Sequence, residues 1–396
     1  MKFAMYQDCK SPHQMPLAER LVECLGTDEF RYVYRDKEQV ERVGLGWKMG
    51  GPDEPWQLHL DSNPERANGI IECAEVLLTG MRDVDLFEKR EAKRLKTFYQ
   101  TERWFKPKLG ILRLLKPSYF RMARQFVSLL RDCNEFRILP IGIHAAKDIA
   151  RLCGLFACDL RCLFRAPKLD FERKPCGKIR LRNGDDGRRY CLDKMRMWGY
   201  FVAPSKFSTL NSQCPHSSNP PIPHSPTLRV VWVGRLLNWK RVDTIIRAVG
   251  ELFRSYSPSN SNSNLKFTLD IYGTGPEEKR LKKFASKYGD AIKFYPPVPI
   301  DEVRKLMRER DVYVLSSNAY EGWGAVVSEA LEEGMKVLGT YEAGSSATML
   351  PDTNLFHAGD WRRLKGLLET EVHNMETSYW RAKEVAASLM NTIGMQ

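Results

Sequence analysis

Residues 311–350 read DVYVLSSNAY EGWGAVVSEA LEEGMKVLGT YEAGSSATML. The run Val312-Tyr313-Val314-Leu315 is apolar and rich in β-branched residues, the pattern of a strand buried on both faces of a parallel sheet. A polar turn, Ser316 to Tyr320, leads into Glu321-Gly322-Trp323-Gly324. From a start near Ala325, Val326, Val327, Ala330 and Leu331 fall at helical spacing, and Gly334 stands where a C-terminal cap belongs. Lys336 to Gly339 is a second strand, and Gly344 marks a second turn. Strand, glycine-rich loop, helix, strand: the order predicts an α/β fold.

The loop has chemical content. Gly322 and Gly324 let the backbone approach a ligand closely. A helix start offers unpaired N–H groups and the positive end of a dipole, which suit phosphate. Glu321 just before the helix and Glu329 one turn into it suit hydroxyl groups, not phosphate. Phosphate donors and hydroxyl acceptors in one loop fit a sugar nucleotide. The same residues also fit a solvated helix start with two surface glutamates.

Outward from this stretch, residues 228–372 keep alternating strand and helix. Strands are predicted at Arg229–Val233, Phe267–Tyr272, Ile292–Tyr295, Val312–Leu315, Lys336–Leu338 and Asn354–Phe356, giving a doubly wound sheet. A charge-free run rich in Ser, Pro and Asn, residues 207–227, reads as a linker. Before it, residues 1–206 alternate in the same way and predict a second Rossmann-like domain. Within it, Phe136 to Ile143 reads as a strand, and Lys178 to Leu192 as a hairpin around Asn183-Gly184. The tail, residues 376–396, carries an amphipathic helix from Glu376 to Met390. Two doubly wound domains are expected to face a cleft lined by the C-terminal ends of their strands.

Composition sets bounds. The chain has 396 residues, 43% hydrophobic and 28% charged, with ten cysteines, all at or before Cys214. No apolar run approaches the ~18 residues of a membrane span. The polar start MKFAMYQDCK does not read as a signal peptide, so a cytoplasmic protein with buried free thiols is expected. Net charge is +13, yet from Thr227 onward 23 basic residues face 21 acidic ones. The excess gathers in residues 88–124, with 12 basic and 3 acidic residues and with Trp104, Phe105, Tyr119 and Phe120 interleaved. That composition fits peripheral contact with an anionic membrane. It equally leaves open a nucleic-acid-binding protein, although no RNA-binding signature is evident there.

Three motifs in one order carry a resemblance. Glu321 and Glu329 in EGWGAVVSEALEEG resemble the E-x7-E motif of retaining glycosyltransferases with the two-domain GT-B fold, in particular glycosyltransferase family 4, or group 1. Val233-Gly234-Arg235-Leu236-Leu237-Asn238-Trp239-Lys240 resembles the family's strand-GRL-x3-K element, and Gly273-Thr274-Gly275-Pro276 its G-x-GP turn. The resemblance implies a UDP- or GDP-sugar donor and a glycan or lipid-linked acceptor, with no nucleic acid, no metal and no cofactor. Arg235 and Lys240 would grip the diphosphate, Gly273, Gly322, Gly324 and Ala325 would line the donor, and Glu329 would take the ribose. Glu321 would face the donor sugar, and Val298 lies in the loop where the base is contacted, here PPVP where the family usually has glycine. Asp83-Val84-Asp85 matches a metal-type pattern but reads as a helix cap. The first domain resembles the family poorly. Its first loop, Asp8 to Gln14, lacks glycine, and where the family often has a histidine after the strand ending at Tyr99, this chain offers Gln100 and Glu102. His13 is a further acceptor-side candidate, and His144 reads as structural. A GT-B sugar-nucleotide epimerase is the alternative within the same fold.

Overall fold

A computed structural model describes the chain except residues 37–51, 166, 183–188, 205–226, 257–264, 371–379 and 395–396. The chain divides into two compact units, residues 1–203 together with 379–396, and residues 204–378.

Unit 1 holds six parallel strands: β1 (Phe3–Cys9), β2 (Phe30–Asp36), β3 (Gln57–His59), β4 (Val76–Thr79), β5 (Lys96–Thr101) and β6 (Phe136–Pro140). Their spatial order is β3-β2-β1-β4-β5-β6. Helices α1 (Met15–Leu25), α2 (Pro64–Cys73), α3 (Val84–Ala92), α4 (Pro117–Asp132) and α5 (Ile143–Phe156) make the crossovers. Asp83 caps α3, its Oδ1 accepting the Leu86 N–H at 3.0 Å. Behind the sheet, the buried Arg90 guanidinium donates to the carbonyls of Ile71, Ala74 and Lys96 at 2.8–2.9 Å. It thereby caps the end of α2, and burial lowers its pKa to about 10, so the cation persists at neutral pH.

Three expectations for this unit are corrected. The strand from Phe136 stops at Pro140, and Ile143 already opens α5, because Gly142 (φ 82°) turns the chain there. The hairpin runs backwards: β8 (Ile179–Leu181) pairs antiparallel with the preceding β7 (Leu169–Phe171), and Arg189–Leu192 is a helical turn. Its turn uses Cys176 at φ 53° and Gly177, where a Cβ would stand 2.5 Å from the Glu172 carbonyl; Asn183-Gly184 lies outside the described residues. Trp104 and Phe105 are buried, not interfacial. The Trp104 ring packs 4.5 Å from Phe126, and the Phe105 N–H is held by the buried Asp148 carboxylate at 3.0 Å. Burial pushes the Asp148 carboxyl up.

Unit 2 repeats the plan with β9 (Thr227–Val233), β10 (Lys266–Tyr272), β11 (Ile292–Tyr295), β12 (Val312–Leu315), β13 (Lys336–Thr340) and β14 (Leu355–Phe356), ordered β11-β10-β9-β12-β13-β14. Thr227, assigned above to the linker, already belongs to β9; the rest of that linker lies outside the described residues. Helices α6 (Val242–Ser255), α7 (Glu278–Ala285), α8 (Ile300–Arg308), α9 (Val326–Glu332), α10 (Gly344–Met349) and α11 (Trp361–Glu369) follow their strands. Val230, Trp232, Leu269, Ile271, Val312 and Val314 form the sheet side of its core, closed by Ile245, Val249 and Leu364.

The last helix, α12 (Ala382–Ile393), starts later than the periodicity predicts. It lies on unit 1: Lys96 Nζ donates to the Ile393 carbonyl at 2.7 Å and Ser388 Oγ to that of Pro175 at 2.9 Å. Each six-stranded sheet reverses its order between its first and fourth strands. In open parallel sheets that reversal opens a crevice at the strands' C-terminal ends, where ligands bind. Both units are thus Rossmann-like doubly wound domains.

Candidate functional site

In unit 2 the reversal lies between β9 and β12, and the predicted donor residues follow those two strands. β9 leads into Gly234 to Lys240, β12 into Ser316 to Gly324. The two loops are stitched together. Ser316 Oγ donates to the Lys240 carbonyl at 2.6 Å, and the Asn318 N–H to that of Trp239 at 2.8 Å. Lys240 Nζ and the Glu321 carboxylate form an ion pair, both mostly buried. Ser317 Oγ donates to the same carboxylate oxygen, Oε2, at 2.8 Å. Arg235 is exposed beside them and has no ion pair among the described residues. One cation is held in place and a second is available.

Glycine makes the neighbouring loops possible. Gly273 (φ 144°) lies so close to the Gly234 carbonyl oxygen that a Cβ would stand 1.8 Å from it. The Leu236 N–H donates to the Thr274 carbonyl at 2.9 Å. The loops after β9 and β10 therefore pack backbone on backbone. Gly324 (φ 86°) turns the chain into α9, its carbonyl taking Ser345 Oγ at 2.9 Å, while the N–H groups of Gly344 and Ser345 donate to the carbonyls of Gly322 and Trp323 at 3.1 and 2.8 Å. Ala325 is the N-cap residue of α9, and Val298 is half-buried in the loop after β11.

Glu329 is nine-tenths buried on α9. Burial pushes its carboxyl up to about 7; Arg304 pulls it down and the charge of Glu333 pushes it further up. Glu333 in turn binds Arg304 at 2.5 Å and also Arg308, tying α8 to α9.

The structure thus brings Arg235, Lys240, Gly273, Glu321, Gly322, Gly324 and Ala325 onto the loops at one sheet edge, with Glu329 just inside on α9. Sequence reasoning missed Ser316, Ser317 and Ser345, which hold the site residues. Their signal was present: two consecutive serines directly after an apolar strand, where a buried polar side chain needs a partner.

In unit 1, Gln100 is buried with both amide ends bonded: Nε2 donates to Gln7 Oε1 at 2.9 Å, and Oε1 accepts the Trp198 indole N–H at 3.2 Å. Exposed Glu102 accepts the Tyr200 hydroxyl at 2.8 Å, and His13 stacks on Tyr200 with ring centroids 5.8 Å apart. His144 is half-buried in the first turn of α5. The nine described cysteines are free thiols. Among the described residues no helix is long and apolar enough to cross a membrane.

The family model "Glycosyl transferases group 1" matches residues 221–378. An uncharacterized glycosyltransferase of Methanocaldococcus jannaschii is 26% identical over 128 residues, 32% of this chain and 31% of that protein. This match spans less than a third of that relative's length. Among solved structures, Anabaena HepE in complex with UDP is 14% identical, covers 100% of this chain and 98% of its own, and has a TM-score of 0.52. The trehalose-6-phosphate synthase OtsA is 10% identical, covers 100% and 95%, and has a TM-score of 0.53. Residues 221–378 of this chain match the group 1 glycosyl transferases, and its two six-stranded parallel units have the architecture of the GT-B fold.

Proposed function

We propose that this chain is a retaining glycosyltransferase of the family 4 type that takes a sugar from a UDP- or GDP-sugar and passes it to a glycan or lipid-linked acceptor in the building of a surface polysaccharide. The observation that carries the reading is the Lys240–Glu321 pair at the strand-order reversal of unit 2, with Arg235 exposed beside it. A nucleoside diphosphate is the leaving group, and charge grows on it as the glycosidic bond breaks. Lys240 and Arg235 meet that charge, so their contact strengthens toward the transition state and no metal is required. When the diphosphate takes Lys240, Glu321 is released to accept hydroxyls of the donor sugar, still oriented by Ser317. Glu329 accepts from the ribose. The UDP held by the similar fold of HepE supports a uridine nucleotide. On the acceptor side we assign Glu102, with Tyr200 orienting it.

The test is a thermal-shift panel of nucleoside diphosphates. UDP or GDP is expected to stabilise the protein saturably, and Lys240→Ala to weaken the effect. Equal response to all of them, or to none, removes the reading and leaves the alternative of a nucleic-acid-binding protein.

We further propose that unit 1 rests on an anionic membrane. Leu109, Leu112, Leu115 and Phe120 are exposed, Leu115 at 79%, next to exposed Lys106, Lys108, Lys116, Arg121 and Arg124. Apolar side chains rimmed by cations suit the interface of an anionic bilayer.

A further inference from the structure

The strand-order reversal of unit 1 lies between β1 and β4. β1, β4 and β5 are in register, with Tyr6 opposite Thr79 and Thr79 opposite Tyr99. The next row is therefore Gln7, Gly80, Gln100. Gly80 leaves the gap in which the two amides, two strand spacings or about 10 Å apart by backbone, reach each other. A Cβ on it would stand 2.9 Å from Gln7 Oε1 and 3.1 Å from Gln100 Nε2.

The hydrogen bonds of this row have one direction. An indole N–H only donates. Trp198 donates to Gln100 Oε1, so Gln100 must turn its NH2 to Gln7, and Gln7 must receive it on its oxygen. The leftover group is the Gln7 NH2. It lies on a side chain only 3% exposed and has no hydrogen-bond partner among the described residues. A buried donor left unmade is costly, so a fold that fixes one at a ligand-binding edge points to an oxygen supplied from outside. Three charged groups of the neighbouring loops are paired: Lys10 with Asp53 at 2.5 Å, Arg103 with Asp148 at 3.4 Å, and Glu102 with the Tyr200 hydroxyl. The Gln7 NH2 is itself a neutral donor.

We propose that Gln7 Nε2 is a ligand-binding group of unit 1, donating to a hydroxyl oxygen of a neutral sugar, and that Trp198 and Gln100 are positioning residues that leave its NH2 out of the row's own hydrogen bonds. The proposal deepens the acceptor side of the transferase reading and rests on that reading only for the sugar's role as acceptor.

The experiment is NMR of the full chain titrated with glucose through about 100 mM, beyond the range of a weak millimolar site. The Gln7 side-chain amide is identified as the pair of resonances lost in Gln7→Leu, and the Trp198 indole as the one lost in Trp198→Phe. Both are expected to shift along one saturation curve in the unsubstituted protein. In Gln7→Leu the Trp198 response should vanish; in Trp198→Phe the Gln7 amide should respond with several-fold weaker affinity. Gly80→Ala is a second perturbation and should abolish the coupled response. An unresponsive Gln7 amide in the folded protein overturns the proposal. So does a Trp198 response that survives Gln7→Leu, or a shift caused by inorganic phosphate but not by glucose. UDP added to the same samples reads unit 2 independently: resonances of unit 2 that ignore UDP count against the transferase reading and leave the Gln7 result standing.

Discussion

Lys240 and Glu321 hold each other at the end of the first and fourth strands of unit 2. Their pairing keeps the lysine pointed before any ligand arrives, which would lower the entropy cost of gripping the proposed diphosphate. Lys240→Ala should slow UDP release from a UDP-sugar roughly a hundredfold, with an unchanged melting profile; near-normal turnover in the folded variant sinks the assignment. Glu329 makes a different prediction. Its carboxyl titrates near 7 in the fold against an ordinary 4.5. Between those values the native protein holds a proton that the unfolded chain has released. The stabilisation is fully present below 4.5 and is lost as pH rises through 7. Glu329→Gln should therefore gain on the unsubstituted protein between pH 5 and pH 8, by at most about 3 kcal/mol. Urea midpoints at the two pH values read it; a constant gap would mean that the carboxyl is solvated. The resemblance to the E-x7-E and GRL-x3-K motifs singled out Glu321, Glu329 and Lys240 as candidates. The pairing of Lys240 with Glu321 was not legible, nor was the commitment of Gln100, whose partners lie 93 and 98 residues away. Spacing along a chain reports neighbours on one element, not which side chains converge from several.

At the scale of the element, residues 88–124 are where composition misled. Twelve cations with interleaved aromatics named a surface but not which side chains lie on it. Trp104 and Phe105 turn inward to Phe126 and Asp148, and the exposed apolar face is made by the leucines of the short helical stretch Gly110–Leu115. The membrane prediction therefore moves to those residues. Leu112→Ser with Leu115→Ser should weaken sedimentation with anionic vesicles by about 1–3 kcal/mol, one to two decades in partitioning. Raised salt should weaken it further by screening the cations around them. Equal recovery with neutral and anionic vesicles, or no response to the two serines, would make this face an ordinary solvated one. Short apolar runs of unit 2 were read well: β11 and β12 match residue for residue. The hairpin was misread because Ile179–Leu181 pairs with the preceding strand, through a turn at Cys176 and Gly177.

At the scale of the whole molecule, the repeated α/β alternation declared two doubly wound sheets, since each strand can bury both faces only between helices. Unit 1 is made of two separated stretches, residues 1–203 and 379–396, whereas unit 2 is one continuous stretch. Ending the chain after Ser378 should leave unit 2 folded, with the proposed response to UDP unchanged, while unit 1 melts at a lower temperature, because α1 then loses the face that α12 covers and Lys96 loses its carbonyl. Calorimetry would show a single shifted transition; two unshifted ones would make α12 dispensable.

That arrangement also has a consequence in time. A ribosome delivers the chain from its N-terminus, and domains ordinarily close in that order. Here the earlier-made domain waits for a helix made after unit 2. Residues 1–203 leave the exit tunnel with the α12-binding face of α1 bare, and residues 204–378 can finish folding before that face is covered. During that interval the nascent protein presents apolar surface on its oldest part, so the demand for a chaperone falls on unit 1 until α12 docks.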